Sequence, residues 1–107
     1  MRLTSGIVCV AFSATWALIT PLAHADPGSD FLSRLHAYGI DISAIMGHPI
    51  SSQDTIELGQ ALCTELHQGT SAPVETEKLY RQMPRITDKQ AGNLVSAAQF
   101  SICPDTL

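Results

Sequence analysis

The sequence predicts an all-α fold: a small bundle of about four helices, stapled by one disulfide and preceded by the helix of a signal peptide. Two observations predict the bundle. Apolar residues recur every three or four positions in four stretches, as on helices with one buried face. Residues 40–43 alternate as a strand does, but no second strand is available to pair with them. The length of 107 residues allows one domain.

Residues 1–25 carry the features of a signal peptide. Arg2 precedes a long uncharged run, Pro21 interrupts that run, and an Ala-His-Ala triplet ending at Ala25 supplies small residues at a cleavage position. A retained membrane helix is the alternative, because about 20 apolar residues suffice to cross a bilayer. The proline near the end of the run disfavours that alternative. We therefore predict cleavage after Ala25 and a mature domain of residues 26–107.

The mature domain is small and acidic. Removal of the signal peptide takes away Arg2 and no acidic residue, which leaves ten acidic and five basic side chains. This balance disfavours binding to nucleic acid and to anionic lipid surfaces. We expect no membrane span after cleavage, and we expect the protein to be secreted or to reside in the cell envelope.

Two cysteines remain in the mature domain, because Cys9 leaves with the signal peptide. Two cysteines in a small exported chain predict a disulfide, and Cys63 with Cys103 is the only possible pair. The bond closes a loop of about 40 residues, for which the chain-entropy model gives about 3–4 kcal/mol of stabilisation. Because the core of so small a domain is marginal, we expect this bond to supply much of the stability.

The predicted helices of the mature domain span residues 30–38, 52–68, 73–82 and 88–102. A serine and an aspartate at 29–30 are the candidate caps of the first helix. Thr87 and Gln90 have the spacing of a capping box at the start of the last helix. The two ends of the domain, 26–29 and 105–107, are expected to be mobile.

The run 40–50 is unusually rich in large aliphatic residues for a connection between helices. We interpret it as an ordered connector with one helical turn at 43–46, followed by Ser51 as the cap of the next helix. The connector either completes the core as a lid or presents an apolar surface to a ligand or a partner. The candidate residues for that surface are Ile42, Ile45, Met46, Ile50 and Leu66.

The pattern of polar residues does not indicate catalysis or metal binding. Cys63 and His67 are one helical turn apart, but zinc needs further ligands, and a cysteine in a disulfide is not one. Glu75 and Glu77 lie at the start of a predicted helix, where carboxylates stabilise the helix dipole. The histidines of the mature domain are expected on exposed polar faces. We therefore predict no enzyme, no cofactor and no metal site.

Three blocks of residues resemble a known family. The blocks are Asp30-Phe31-Leu32-x-x-Leu35-x-x-x-Gly39-Ile40, Leu58-Gly59-x-x-Leu62-Cys63, and Gln90-Ala91-x-x-Leu94-Val95-x-x-Ala98 with Cys103-Pro104 at its end. Their order resembles the family catalogued as domain of unknown function 732, small exported proteins of mycobacteria and their relatives, over about 30–104. The resemblance implies a helical domain with one disulfide in the cell envelope or beyond it, and no assigned activity.

Three functions are weighed against one another. The first is a non-enzymatic binding or interaction module of the cell envelope or secreted space, with an unknown protein partner. The second is a carrier of a small apolar ligand, which requires an enclosed cavity between the helices lined by Ile42, Ile45, Met46 and Leu66. The third is an enzyme, which requires a polar cleft with a histidine against a carboxylate. A dry core with an exposed aliphatic patch favours the first.

Overall fold

The computed structural model describes residues 26–107; residues 1–25, with the predicted signal peptide and its cleavage position, lie outside the described residues. All regular structure between residues 26 and 107 is helical, which confirms the all-α prediction. The elements are α1 Pro27–Ala37, α2 Ile42–Met46, α3 Ser52–His67, α4 Ala72–Gln82, α5 Asp88–Ser101 and a final 3-10 turn Pro104–Thr106. Each helix in this part of the chain is too short or too polar to cross a membrane.

Helix α1 begins three residues earlier than the apolar pattern predicts. The Asp26 carboxylate accepts a hydrogen bond from a first-turn amide at 3.0 Å, and Pro27 occupies the first helical position, where no amide donor is required. Gly28 is buried, and a Cβ atom added to it would lie 2.9 Å from the Ile56 side chain. The expected mobile leader is therefore wrong, since these residues form the first turn of α1 and pack on α3.

Side-chain caps define the starts of the next long helices. The Thr87 hydroxyl accepts from the Gln90 amide and the Gln90 side chain accepts from the Thr87 amide, both at 3.0 Å, which confirms the predicted capping box of α5. Ser51 caps α3 as predicted. Ser71 caps α4, so that this helix starts one residue earlier than expected.

Helix α5 lies at the centre of the packing, in contact with α1, α3 and α4. Three of its six buried residues are alanines, beside one leucine, one valine and one glutamine, so the neighbouring helices can approach it closely. The rest of the buried apolar core comes from the other helices and the connections between them, and comprises Phe31, Leu35, Ile40, Ile42, Ile45, Leu62, Cys63, Leu79, Met83, Ile86 and Cys103.

Cys63 in α3 and Cys103 after α5 form the predicted disulfide, with their Cα atoms 5.9 Å apart. Both side chains are buried in the core. The bond ties α3 to the end of α5, and the loop that it closes contains the whole of α4. The two longest helices are thus linked covalently, whereas α4 is held by non-covalent contacts.

The segment after the disulfide is attached to the bundle and is not frayed. The Gln99 side-chain amide donates to the Thr106 carbonyl oxygen at 3.2 Å, and the Thr106 hydroxyl donates to the Cys103 carbonyl oxygen at 2.7 Å. The Nε2 atom of His67 lies 2.8 Å from a carboxylate oxygen of Asp105. These contacts show that the expectation of a mobile C-terminal end is wrong.

Candidate binding grooves around helix α2

Helix α2 is only five residues long and is capped at both ends. The Asp41 carboxylate accepts hydrogen bonds from the amides of Ser43 and Ala44 at 3.0 and 3.3 Å, which starts the helix. Gly47 ends it with a φ of 82°, a left-handed conformation that costs glycine little because glycine has no Cβ atom. The predicted helical turn is confirmed, and it begins one residue earlier than expected.

The connector is attached to the bundle mainly through side chains. Ile42 and Ile45 are buried in the core. The Ser43 hydroxyl ties the two ends of the connector together, because it accepts from the Ile50 amide at 2.8 Å and donates to the Ile50 carbonyl oxygen at 3.3 Å. The connector therefore covers the core as a lid, which is the first of the two alternatives considered. The Ser43–Ile50 hydrogen bonds close the connector into a small loop, and this loop holds α2 against the core.

A largely apolar groove, here named the methionine groove, lies between α2 and α3. Its lining residues are Ile42, Met46, Ile50, Asp54, Leu58 and Met83. The groove has a volume of about 180 Å³. Met46, Ile50 and Leu58 are half-buried, so part of their apolar surface faces solvent. Asp54 is exposed and is the one charged residue of this lining.

A second groove, here named the polar-rimmed groove, shares Ile42 and Ile50 with the methionine groove. Its volume is about 300 Å³. Its apolar wall is formed by Leu32, Leu35, Ile40, Ile42 and Ile50. Its polar rim is formed by His36, Asp41, Ser43, Ser52 and Thr55. This groove therefore presents an aliphatic wall beside several hydrogen-bonding groups.

The structure brings together three of the five residues predicted for an apolar surface. Ile42, Met46 and Ile50 line the methionine groove. Ile45 lies three positions after Ile42 on the inner side of α2 and is buried in the core. Leu66 is half-buried near the end of α3, and neither it nor Ile45 lines one of the two grooves. The predicted surface is thus divided between groove and core.

Three lining residues of the methionine groove were not predicted: Asp54 in the first turn of α3, Leu58 and Met83. Leu58 belongs to the apolar stripe of α3 and also packs against the core. Met83 follows α4, and its position beside α2 depends on the path of the chain between α4 and α5. The aliphatic pattern of α3 contained a signal for Leu58, whereas no local pattern indicates the position of Met83.

The histidines and cysteines do not assemble into a ligand set. Between residues 26 and 107, no three side chains of the His, Cys, Asp and Glu types lie close enough together to hold a metal ion. Cys63 is in the disulfide, and His67 pairs with Asp105 in the C-terminal turn. His36 and His48 are exposed, the former at the edge of the polar-rimmed groove.

A charged cluster between α3 and α4 was missed by the sequence analysis. Glu75 lies in the first turn of α4, but its side chain is buried, with 1% of the residue exposed. Its neighbours are Glu65 on α3 and Lys78, which pairs with both carboxylates. Burial, and then hydrogen bonding to Glu65, raises the pKa of Glu75 to about 7. Hydrogen bonds from Lys78 and Glu75 lower the pKa of Glu65.

A positional signal for the burial of Glu75 does exist in the sequence. Ala72 lies three positions before it and Leu79 four positions after it, so all three share one face of α4. Leu79 is buried and Ala72 packs against the core. A carboxylate on the apolar face of a helix is therefore buried even where it also occupies the first turn.

The family described as protein of unknown function (DUF732) matches residues 25–105. This span contains all five helices and both cysteines of the disulfide. No curated protein and no solved structure matches the chain. The match covers most of the chain and includes the three blocks of residues that suggested the resemblance. The chain therefore belongs to the DUF732 family of proteins of unknown function.

Proposed function

We propose that this protein is an exported, non-enzymatic binding module whose methionine groove receives an apolar side chain of a protein partner. The observation that carries the proposal is the lining of this groove, in which five of six residues are apolar and three are half-exposed. Export is supported by the signal-peptide pattern of residues 1–25 and by the disulfide, because disulfides persist in oxidising compartments.

The size of the methionine groove favours a protein partner over a small-molecule ligand. Sites for small molecules usually have volumes of about 300–1,000 Å³, whereas this groove has about 180 Å³. A space of this size suits one large apolar side chain. Such anchors, inserted in a pocket near the centre of an interface, supply much of the binding energy of protein complexes.

The chemistry of the lining also indicates which residues the partner segment should carry. Met46 and Met83 are unbranched and polarisable, so their side chains adapt to anchors of different shapes. Asp54 places a carboxylate at the exposed side of the groove. The partner segment is therefore expected to present a large apolar residue next to a lysine or arginine. The acidic balance of residues 26–107 favours the approach of such a basic segment.

A carrier of a small ligand is the second candidate, and the polar-rimmed groove is the observation that favours it. Its volume of about 300 Å³ reaches the lower limit of typical ligand sites. Its aliphatic wall and polar rim suit an amphiphilic molecule with an apolar body and a hydrogen-bonding end. Such a carrier would hold its ligand in an open groove at the protein surface. The enclosed cavity expected from the sequence would also have needed Ile45, Met46 and Leu66, and these residues do not line this site.

The experiment that tests the binding module is site-specific photo-crosslinking in the host cell. A photoreactive residue in place of Met46 is expected to form a discrete protein adduct, because this position lines the methionine groove. The matched control carries the same residue in place of Val74, which is half-exposed on α4 and lines neither groove. We expect no discrete adduct from the control.

A second substitution makes the crosslinking result specific for the groove. Leu58→Asp places a charge in the apolar lining, and we expect it to abolish the adduct formed through position 46. Circular dichroism of the variant checks that the helices remain folded, since Leu58 is only half-buried. Equal adducts from positions 46 and 74, or an adduct that persists with Leu58→Asp, would contradict the proposal.

A further inference from the structure

The charged cluster of Glu65, Glu75 and Lys78 lies at the contact between α3 and α4, apart from both grooves. The Oε2 atom of Glu75 is buried and has no hydrogen-bond partner among the described residues. The Lys78 ammonium nitrogen lies 3.7 Å from this oxygen, which is longer than a hydrogen bond. A buried carboxylate oxygen without a hydrogen bond strongly favours the protonated form of the group.

Few charged groups are available to compensate an ionised Glu75. Helix α3 presents Glu65, a second negative charge, and the Lys78 ammonium also contacts Glu65 and is 43% exposed. The remaining titratable or charged residues of α3, α4 and α5 are Asp54, Glu57, His67, Glu77, Tyr80, Arg81, Asp88 and Lys89. All of them are exposed. Ionised Glu75 therefore faces one repelling carboxylate and one shared, partly hydrated cation.

We propose that this cluster is a proton-controlled switch that holds α4 against α3 when Glu75 is protonated and loosens α4 when Glu75 is ionised. A protonated Glu75 carboxyl donates to the Glu65 carboxylate, which leaves Lys78 paired with Glu65. Loss of the proton removes this donor and places the buried Glu75 carboxylate beside the partly exposed Glu65 carboxylate. The switch does not depend on the binding function proposed above.

The direction of the pH response follows from the two carboxyl groups. The pKa of Glu75 is raised above its ordinary value of 4.5 to about 7, so its contribution to stability is present below 4.5 and is lost as the pH rises through about 7. The pKa of Glu65 is lowered, so its contribution is lost only at acidic pH, below its ordinary value. Between pH 5 and pH 8, Glu75 therefore dominates, and stability falls as the pH rises.

The disulfide confines the effect to one helix. Cys63 and Cys103 hold α3 to the end of α5 at any protonation state of Glu75, and α4 lies wholly within the loop between them. Opening of α4 therefore does not require separation of α3 from α5. Local openings of this kind are detected by amide hydrogen exchange.

The test compares the wild-type chain with Glu75→Gln, which imitates the protonated carboxyl at every pH. For the wild type, we expect the denaturation midpoint to fall as the pH rises from 5 to 8. We also expect the α4 amides to lose protection against hydrogen exchange over this range, after correction for intrinsic exchange rates. For Glu75→Gln, we expect a nearly constant midpoint and constant protection of α4. The control Glu77→Gln removes an exposed carboxylate of the same helix and is expected to keep the wild-type response.

Other titrating groups are shared by these chains, so the difference between the profiles reports on Glu75. If Glu75→Gln fails to fold, Glu65→Gln supplies a second comparison, because a neutral neighbour removes a cause of the raised pKa of Glu75, and the loss of α4 protection between pH 5 and pH 8 should become smaller. A wild-type midpoint that is constant from pH 5 to pH 8 would overturn the proposal. An equal pH response in the wild type and Glu75→Gln would also overturn it.

Discussion

Gly59 lies at the closest approach between α3 and two apolar side chains of its neighbours. A Cβ atom built on this residue would lie 2.8 Å from Ile102 Cδ1 and 2.8 Å from Phe31 Cε2. The Ile102 methyl group is the end of a flexible side chain, but the Phe31 ring is fully buried. The Ile102 and Phe31 side chains therefore occupy the space beside Gly59, and even one added methyl group at this position requires a shift of the core.

We predict that Gly59→Ala destabilises the domain although alanine is the better helix former. The gain in helix propensity is about 1 kcal/mol, whereas overpacking of a core costs about 1–3 kcal/mol. A net loss of about 1 kcal/mol in the free energy of unfolding is expected in chemical denaturation. Gly92→Ala in α5 is the matched control, because its nearest neighbour would be Thr76 Cγ2 at 3.9 Å, and it should stabilise by up to about 1 kcal/mol. Equal effects of both substitutions would contradict this interpretation.

The local sequence indicates close packing at Gly59, whereas the burial of Glu75 was missed, and the difference has a physical reason. A glycine inside a strong apolar stripe weakens a helix, so its presence indicates close packing. A glutamate in a first helical turn has a sufficient local explanation in the helix dipole. Its burial was indicated by its position between Ala72 and Leu79 on the apolar face of α4, but the dipole explanation made that signal easy to overlook.

At the scale of elements, α2 depends on its tether more than on its own helical strength. Five residues are too few for a helix to be stable alone in water. Its buried isoleucines hold it to the core, and the Ser43 hydroxyl holds Ile50 at the far end of the connector. Both grooves use residues of this connector, so the tether also maintains the proposed binding surface.

We predict that Ser43→Ala loosens the connector without unfolding the bundle. The substitution removes both hydrogen bonds to Ile50 and leaves a partly buried amide unpaired, at a cost of about 1–2 kcal/mol. Amides of residues 42–50 should exchange faster with solvent, whereas those of α5 should keep their protection. Ser33→Ala on the exposed side of α1 is the control and should change stability by less than about 0.5 kcal/mol. Unchanged exchange in residues 42–50 would show that Ser43 is not the tether.

The long helices were predicted more accurately than their surroundings. The periodicity of α3 and α5 and the capping box at Thr87 located both helices to within one residue. The start of α1 was missed because Asp26 and Pro27 lie outside the apolar pattern and form the cap and first turn. The ordered C-terminal turn was missed because its hydrogen bonds reach Gln99 and α3, which the local sequence does not reveal.

At the scale of the molecule, the disulfide and α5 together hold the domain. Cys63 and Cys103 were predictable because only two cysteines follow the signal-peptide pattern. The grooves were predictable only in part, since the connector supplies Ile42, Met46 and Ile50 from one segment, whereas Met83 reaches the same groove from the far end of α4. Local composition indicated where an apolar surface lies, and the tertiary packing decided which residues form it.

The measurement that most directly tests an exported, disulfide-stabilised binding module is native mass spectrometry of the protein purified from its own host. We predict the mass of residues 26–107 with two hydrogen atoms fewer than the reduced chain, and no small molecule released on activation. A bound small molecule would contradict the binding module and support the carrier. A mass that includes residues 1–25, or one that retains both thiols, would contradict cleavage after Ala25 or the disulfide, respectively.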